Sequence, residues 1–150
     1  MNLDLVKKII EELLTDLGFS SQIEVVEVAP TIRATVDVGQ ENALLIGFHG
    51  ETLNSLQTVA SLILFRQNGA PVPITIDVAG YRGEREEKIK QLAVSAADRA
   101  RFLEKPIELS PMPPFERRLA HLYVSELPGV KSESVGEGRD RRVVVSPAVS

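Results

Sequence analysis

The spacing of apolar residues switches along the chain between the three- and four-residue steps typical of an amphipathic helix and the alternation typical of a strand. In order, the pattern predicts a helix over 3–17, strands over 22–28 and 32–38, a short helix over 41–46, a helix beginning after 50, a strand over 73–79, a long helix over 82–104, a helix over 114–127, and strands near 132–136 and 141–146. The short connection between the first two strands predicts an antiparallel hairpin. We expect an α+β fold.

Residues with special backbone preferences mark the ends of these elements. Asn2 or Asp4 can cap the first helix, and Gly18 can end it in the left-handed conformation. The order helix–strand–strand–helix–helix–strand is complete by residue 80. We therefore expect one domain over 1–80 and a second over 81–150, with the long helix packed onto the second domain.

The composition excludes several classes of protein. The 150 residues are 43 % hydrophobic and 25 % charged, as in globular proteins, and include no cysteine and two histidines. Disulfides, thiolate nucleophiles and cysteine-ligated metals are therefore excluded. Because no catalytic triad, P-loop or metal-ligand spacing is present, we predict no enzymatic activity, cofactor or metal. The absence of a long apolar run and the charged N-terminal sequence predict a cytoplasmic protein with no membrane partner.

The charge is distributed unevenly between the two halves. The net charge is −4, but residues 1–80 hold four basic and ten acidic side chains, whereas residues 81–150 hold 13 basic and 11 acidic ones. A net charge of −6 against +2 follows. Attraction to a phosphate backbone should therefore come mostly from the second half.

A Gly-x-x-Gly segment separates the two central helices of the first half. It consists of Gly47, Phe48, His49 and Gly50. Glycines let a sugar–phosphate backbone approach the free N–H groups that begin the next helix. The segment from residue 44 to 57, set behind a hairpin and before a third strand, resembles that of a type II KH domain. The resemblance covers residues 1–80 and implies an α-β-β-α-α-β order, with a three-stranded sheet carrying helices on one face.

KH loops that bind well usually carry Lys or Arg between the glycines, whereas this loop carries Phe48 and His49, with Glu51 just behind it. Phe48 can stack on a base or face a neighbouring protein. Alternatively, Gly47 and Gly50 serve only the tight turn between the helices.

A second motif lies on the helix predicted over 114–127. Phe115, Leu119 and Leu122 are predicted to form its core-facing stripe. Arg117 and His121 are then neighbours on a face turned away from the core, where a guanidinium and an imidazole can bind one phosphate. Alternatively, His121 bonds to the adjacent sheet and Arg117 pairs with a carboxylate at 116 or 140. Arg118 lies on the flank of the stripe.

Further arginines are candidate phosphate contacts. Arg139, Arg141 and Arg142 occupy a predicted hairpin turn that opens into the last strand, where they either extend the phosphate-binding surface or form a solvated turn. Arg82 and Arg85 open the long helix and are expected to be solvent-exposed, with a contact to RNA as the alternative.

The segments 113–121 and 136–147 together resemble the single-stranded nucleic-acid-binding module known as the Arg-three-His domain, in which helices pack on a small sheet. A type II KH domain followed by an Arg-three-His domain is similar to the Jag (SpoIIIJ-associated) family of bacterial RNA-binding proteins. Members often carry a further N-terminal domain, whose functions we do not carry over to this chain. The resemblance implies a post-transcriptional role linked to cell growth or division.

These observations predict a protein that binds single-stranded RNA, or single-stranded DNA, through the Gly-x-x-Gly loop and the Arg-x-x-x-His helix. The alternative is a protein-interaction module whose KH domain is degenerate and either self-associates or binds another KH protein. If His49 and His121 contact the strand, lowering the pH from about 8 to about 6 should tighten binding, since histidines gain charge near pH 6.5.

Overall fold

The computed structural model describes residues 2–148. The chain divides into two compact units, Met1–Arg82 (unit 1) and Gly83–Ser150 (unit 2). The fold is α+β, as predicted. The described residues form the helices α1 (Leu3–Asp16), α2 (Asn42–Ile46), α3 (Glu51–Asn68), α4 (Tyr81–Leu103) and α5 (Pro114–Ser125), and the strands β1 (Gln22–Val28), β2 (Thr31–Asp37), β3 (Ile74–Val78), β4 (Ile107–Glu108), β5 (Val130–Val135) and β6 (Arg142–Pro147).

Unit 1 contains a three-stranded sheet in the order β1-β2-β3, with β1 antiparallel and β3 parallel to the central strand. The predicted hairpin between β1 and β2 is confirmed. Alternate residues of β2 are buried, namely Ile32, Ala34 and Val36, and they share one core with α1 and α3. Because strand side chains alternate between faces, the helices cover a single face of this sheet.

The ends of α1 and α3 follow the predicted signals. Asn2 caps α1, its side-chain oxygen accepting from the N–H of Asp4 at 3.0 Å. Gly69 ends α3 with a φ of 75°. Leu17, predicted to face inward, lies just beyond α1 and is 61 % exposed.

Arg82 stabilises unit 1 instead of projecting into solvent as expected. Its Nε donates to the carbonyl oxygen of Ile76 at 2.9 Å, and its Nη1 and Nη2 donate to the side-chain oxygens of Asn54 and Gln57 at 3.2 and 3.1 Å. The same Gln57 oxygen accepts from the N–H of Ile76 at 2.8 Å. Side chains therefore occupy the backbone groups at the open edge of β3, which protects this edge from pairing with another strand.

Unit 2 contains a second three-stranded sheet, in the order β4-β6-β5 and antiparallel throughout. Strand β4 was not predicted, and β5 begins two residues earlier than predicted. Small residues of α4 pack closely in the core, which is completed by α5 and the sheet; the buried apolar residues are Ile89, Ala93, Ala96, Ala97, Ala100, Leu109, Met112, Ala120, Val124, Val130, Val143 and Val145. Leu103, predicted to face inward, is 47 % exposed.

Candidate nucleic-acid interface

The orientation of α5 differs from the prediction. Its buried residues are Glu116, Ala120 and Val124, whereas Phe115 and Leu122 of the predicted core stripe are 59 % and 53 % exposed. The predicted stripe was therefore wrong, although Leu119 is partly buried against the core. The helix instead directs into the protein a face that begins with a carboxylate.

That carboxylate is paired with an arginine of α4. Arg85 Nε donates to Glu116 Oε2 at 2.6 Å, and Arg85 Nη2 donates to Glu116 Oε1 at 2.9 Å. Glu116 is 3 % exposed. A buried carboxylate requires such a partner, because desolvation without one is costly. The expectation that Arg85 is solvent-exposed is wrong, and the pair fixes the rotation of α5.

This rotation brings the next face of α5 toward strand β5. His121 Nδ1 lies 2.7 Å from the hydroxyl oxygen of Ser132, and His121 Nε2 lies 2.8 Å from that of Ser134. The contact with the adjacent sheet is the alternative stated above for His121, with serine hydroxyls as the partners, and the outward-facing placement is wrong. Both ring nitrogens are occupied within the protein.

Burial and two neighbouring cations keep His121 neutral. Desolvation is the largest cause that lowers the pKa of His121 below its usual 6.5, and the charges of Arg117 and Arg141 lower this pKa further. A neutral imidazole donates from one nitrogen and accepts at the other. One serine therefore accepts from the ring and keeps its own hydroxyl hydrogen for another acceptor.

The two arginines near His121 are each held by a backbone carbonyl. Arg117 Nε donates to the carbonyl oxygen of Met112 at 3.1 Å, and Arg141 Nη1 donates to that of Gly136 at 2.8 Å. Each guanidinium carries further N–H groups, and neither forms an ion pair within residues 2–148. The pairing of Arg117 with a carboxylate, considered above, does not occur. We call Arg117, His121, Arg141, Ser132 and Ser134 the cationic cluster.

The other candidate arginines are placed differently. Arg142 donates from Nη2 to Glu108 Oε1 at 3.1 Å. Since β5 pairs Arg142 with Val135 and Val143 with Ser134, Arg142 lies one residue away from the sheet face that carries the serines. Arg142 is therefore not part of the cationic cluster. Arg139 and Arg118 are exposed.

The Gly-x-x-Gly loop of unit 1 requires both glycines for its own geometry. Gly47 has a φ of 73°, and a Cβ there would lie 2.2 Å from the hydroxyl oxygen of Thr52. Gly50 has a φ of 79°, and its Cβ would lie 3.1 Å from the ring of Tyr81. The tight turn alone accounts for these two residues.

The residues between these glycines are aromatic. Phe48 is 66 % exposed, and its ring meets that of His49 edge to face, with centroids 4.2 Å apart. The following helix, α3, begins at Glu51. The structure thus presents an exposed aromatic side chain at the loop, with an acidic residue beside it.

Two further searches concern the described residues alone. Within residues 2–148, no group of three or more His, Asp or Glu side chains could hold a metal ion. No helix in this part of the chain is long and apolar enough to cross a membrane.

Comparison with known proteins identifies the second unit and the family. Residues 87–147 match the Arg-three-His domain. The chain is similar to "RNA-binding protein KhpB" of Bacillus subtilis (strain 168), with 36 % identity over 142 residues, which cover 93 % of this chain and 68 % of that protein. The chain belongs to the KhpB family. The predicted Arg-three-His domain and the predicted Jag relationship are thereby confirmed.

Other KhpB proteins are covered less completely. The protein from Clostridium symbiosum is 32 % identical over 108 residues, which cover 72 % of this chain and 49 % of that protein. The protein from Lactiplantibacillus plantarum is 37 % identical over 106 residues, which cover 71 % of this chain and 33 % of that protein. This chain therefore spans between one third and about two thirds of these three relatives. The match to the Arg-three-His domain includes α5 and the whole cationic cluster.

Proposed function

We propose that this chain binds single-stranded RNA, and that the cationic cluster of the Arg-three-His domain binds the phosphate backbone. The observation that supports this proposal is that Arg117 and Arg141 lie near one neutral imidazole without a carboxylate partner in the described residues. Two guanidinium groups held so close together repel each other, and an anion between them relieves that repulsion. The names of the KhpB relatives, each an RNA-binding protein, agree with a phosphate-bearing ligand.

In this proposal His121 acts through its neighbours. Its two ring nitrogens hold Ser132 and Ser134, and one of these hydroxyls retains a hydrogen that can be donated to a phosphate oxygen. The contribution of His121 is therefore positional and does not need a positive charge. Phosphate contacts of this kind fix a strand without selecting its bases.

The cluster is tested by replacing its two arginines. The double variant Arg117→Gln/Arg141→Gln should bind a 12-nucleotide single strand of RNA at least tenfold more weakly than the unmodified chain, measured by fluorescence anisotropy at low salt. Arg99→Gln removes an exposed charge from α4 and serves as the matched control. Equal weakening by the control would contradict a site at the cluster.

For unit 1 we propose a type II KH domain that adds a contact through its loop. Its element order, single sheet and helices on one face support the assignment, and the exposed Phe48 ring supplies a surface for stacking on a base. Ultraviolet crosslinking of the full chain to cellular RNA, with mapping of the modified peptides, should identify a peptide that contains Phe48. Crosslinks confined to unit 2 would overturn the loop contact.

A second candidate function for unit 1 is supported by three exposed apolar residues of α3. Val59, Leu62 and Phe65 are 44 %, 60 % and 45 % exposed, a patch typical of a surface for self-association or for another KH protein. Sedimentation of the full chain and of Leu62→Glu separates the possibilities. A dimer that Leu62→Glu dissociates supports protein interaction, whereas a monomer in both samples excludes self-association.

We also propose, from the family relationship, that RNA binding by this chain serves post-transcriptional regulation linked to cell growth or division. Deletion of the gene should change both the abundance of the crosslinked transcripts and the growth rate. Unchanged transcript levels would contradict this role.

A further inference from the structure

The solvent-facing side of α5 carries the largest apolar side chains of that helix. Phe115 and Leu122 are 59 % and 53 % exposed, while the buried line contains Glu116 and two small apolar residues. Burial of a phenylalanine ring is strongly favourable, so a helix that instead buries a carboxylate leaves this gain unused within the protein. The exposed ring is therefore available to a ligand.

A cation lies between these two exposed side chains. At about 100° per residue, Phe115, Arg118 and Leu122 fall within an arc of about 60° on α5. The Arg118 side chain is exposed, and within residues 2–148 it has no hydrogen-bond or ion-pair partner. Arg117 of the cationic cluster lies about 100° further round the same helix. We call Phe115, Arg118 and Leu122 the outer face of α5.

The combination of one aromatic ring with a central cation favours one class of ligand. An apolar protein surface covering this patch would have to remove the Arg118 guanidinium from water without providing a partner. An unpaired nucleotide satisfies both groups, because its base can stack on an aromatic ring while its phosphate faces the guanidinium. The charge of the outer face is also complementary to the polyanion that the neighbouring cluster is proposed to bind.

We propose that Phe115 is a stacking platform for an unpaired base of the bound strand, and that Arg118 contacts the adjacent phosphate. The outer face then supplies the base contact that the cationic cluster lacks. This inference rests on the proposed RNA binding and extends it by naming the residue that touches a base. Stacking on a ring is tolerant of sequence, so this contact adds affinity with little preference among bases.

The test uses two 12-nucleotide probes with the same number of phosphates, oligouridine and an oligomer with abasic positions throughout. Their binding to the full chain and to Phe115→Leu, Phe115→Tyr and Phe102→Leu is measured by fluorescence anisotropy. Phe102 is 87 % exposed at the end of α4, so Phe102→Leu is the matched control for loss of an exposed ring in the same unit. Circular dichroism verifies that each variant is folded.

We expect Phe115→Leu to weaken oligouridine binding about tenfold, while Phe115→Tyr and Phe102→Leu stay within twofold of the unmodified chain. Phe115→Leu should leave binding of the abasic oligomer unchanged. Unchanged oligouridine binding by Phe115→Leu, or equal losses in the Leu and Tyr variants, would overturn the stacking platform while leaving RNA binding in place. If the unmodified chain binds neither probe, RNA binding itself fails.

Discussion

Arg85 and Glu116 are 31 positions apart in the sequence, yet they form the two-bonded ion pair that joins α4 to α5, with N–O distances of 2.6 and 2.9 Å. Because Glu116 is buried, the pair determines which face of α5 packs on the sheet. The same rotation directs His121 to Ser132 and Ser134 and leaves Phe115 in solvent. One ion pair therefore positions both the cationic cluster and the outer face of α5.

Removing one partner of this pair should be strongly destabilising. Arg85→Met leaves a buried carboxylate without a partner and should lower the free energy of unfolding of unit 2 by about 3 kcal/mol. Chemical unfolding followed by circular dichroism measures the change. The double variant Arg85→Met/Glu116→Gln should recover part of the loss, because the uncompensated charge is gone. A double variant that loses the sum of both single effects would contradict the coupling.

The Gly-x-x-Gly loop should tolerate no side chain at its first position. Gly47→Ala introduces a Cβ that meets Thr52 and should lower the free energy of unfolding of unit 1 by about 3 kcal/mol. Gly69→Ala is the matched control, since Gly69 also has a positive φ but open space around it. The control should cost about 1 kcal/mol. Equal costs at the two glycines would show that the contact with Thr52 is unimportant.

Arg82 should matter for the stability of unit 1 and not for RNA. Arg82→Lys cannot reproduce the bonds to Ile76, Asn54 and Gln57 and should destabilise unit 1 by about 1–2 kcal/mol. Hydrogen exchange should accelerate at the Ile76 amide, which bonds to Gln57, and not at the Ala34 amide of the central strand. Weaker RNA binding without faster exchange would reverse this assignment.

Local sequence patterns were sufficient for most elements of the fold. The steps of apolar residues in α1 and α3 identified the core faces of both helices, with Leu17 as an exception, because these helices bury aliphatic side chains against one sheet. Strand β4 escaped prediction, since its two residues are too short to show alternation. Its pairing with β6 depends on residues far away in the sequence.

The candidate site was predictable only in part, and the limiting factor was distance along the chain. Arg117 and His121 were found from the motif, but the expected orientation of their helix was wrong because a charged residue was assumed to avoid the core. Glu116 is buried because Arg85 neutralises it. Ser132 and Ser134 were missed for the same reason, although their spacing of two on a predicted strand is a signal that both face the same side.

The pH dependence of stability follows from the lowered pKa of His121. A histidine whose folded pKa lies below its unfolded value of about 6.5 favours folding above that value, and this contribution falls as the pH drops toward the folded pKa. The difference in unfolding free energy between the unmodified chain and His121→Gln should therefore decrease between pH 7 and pH 5. His49→Gln provides the comparison variant. A difference that grows as the solution is acidified would contradict the neutral His121.

The same shift changes the expected pH dependence of RNA binding. Since His121 stays neutral below its usual pKa, it does not supply the tightening between pH 8 and pH 6 that the sequence suggested. The structure leaves His49 as the other histidine that could provide it. Binding curves at the two pH values for His121→Gln should show the same ratio of affinities as those for the unmodified chain, and a lost pH dependence in this variant would contradict the positional role.

The salt dependence of RNA binding tests the cationic cluster most directly. For single strands, each phosphate contact contributes about 0.7 to the slope of log affinity against log salt concentration. Loss of two contacts in Arg117→Gln/Arg141→Gln should therefore reduce the magnitude of the slope by about 1.4, while Arg99→Gln leaves it unchanged. If the double variant keeps the slope of the unmodified chain, the cluster does not bind phosphate and the account of this Arg-three-His domain is wrong.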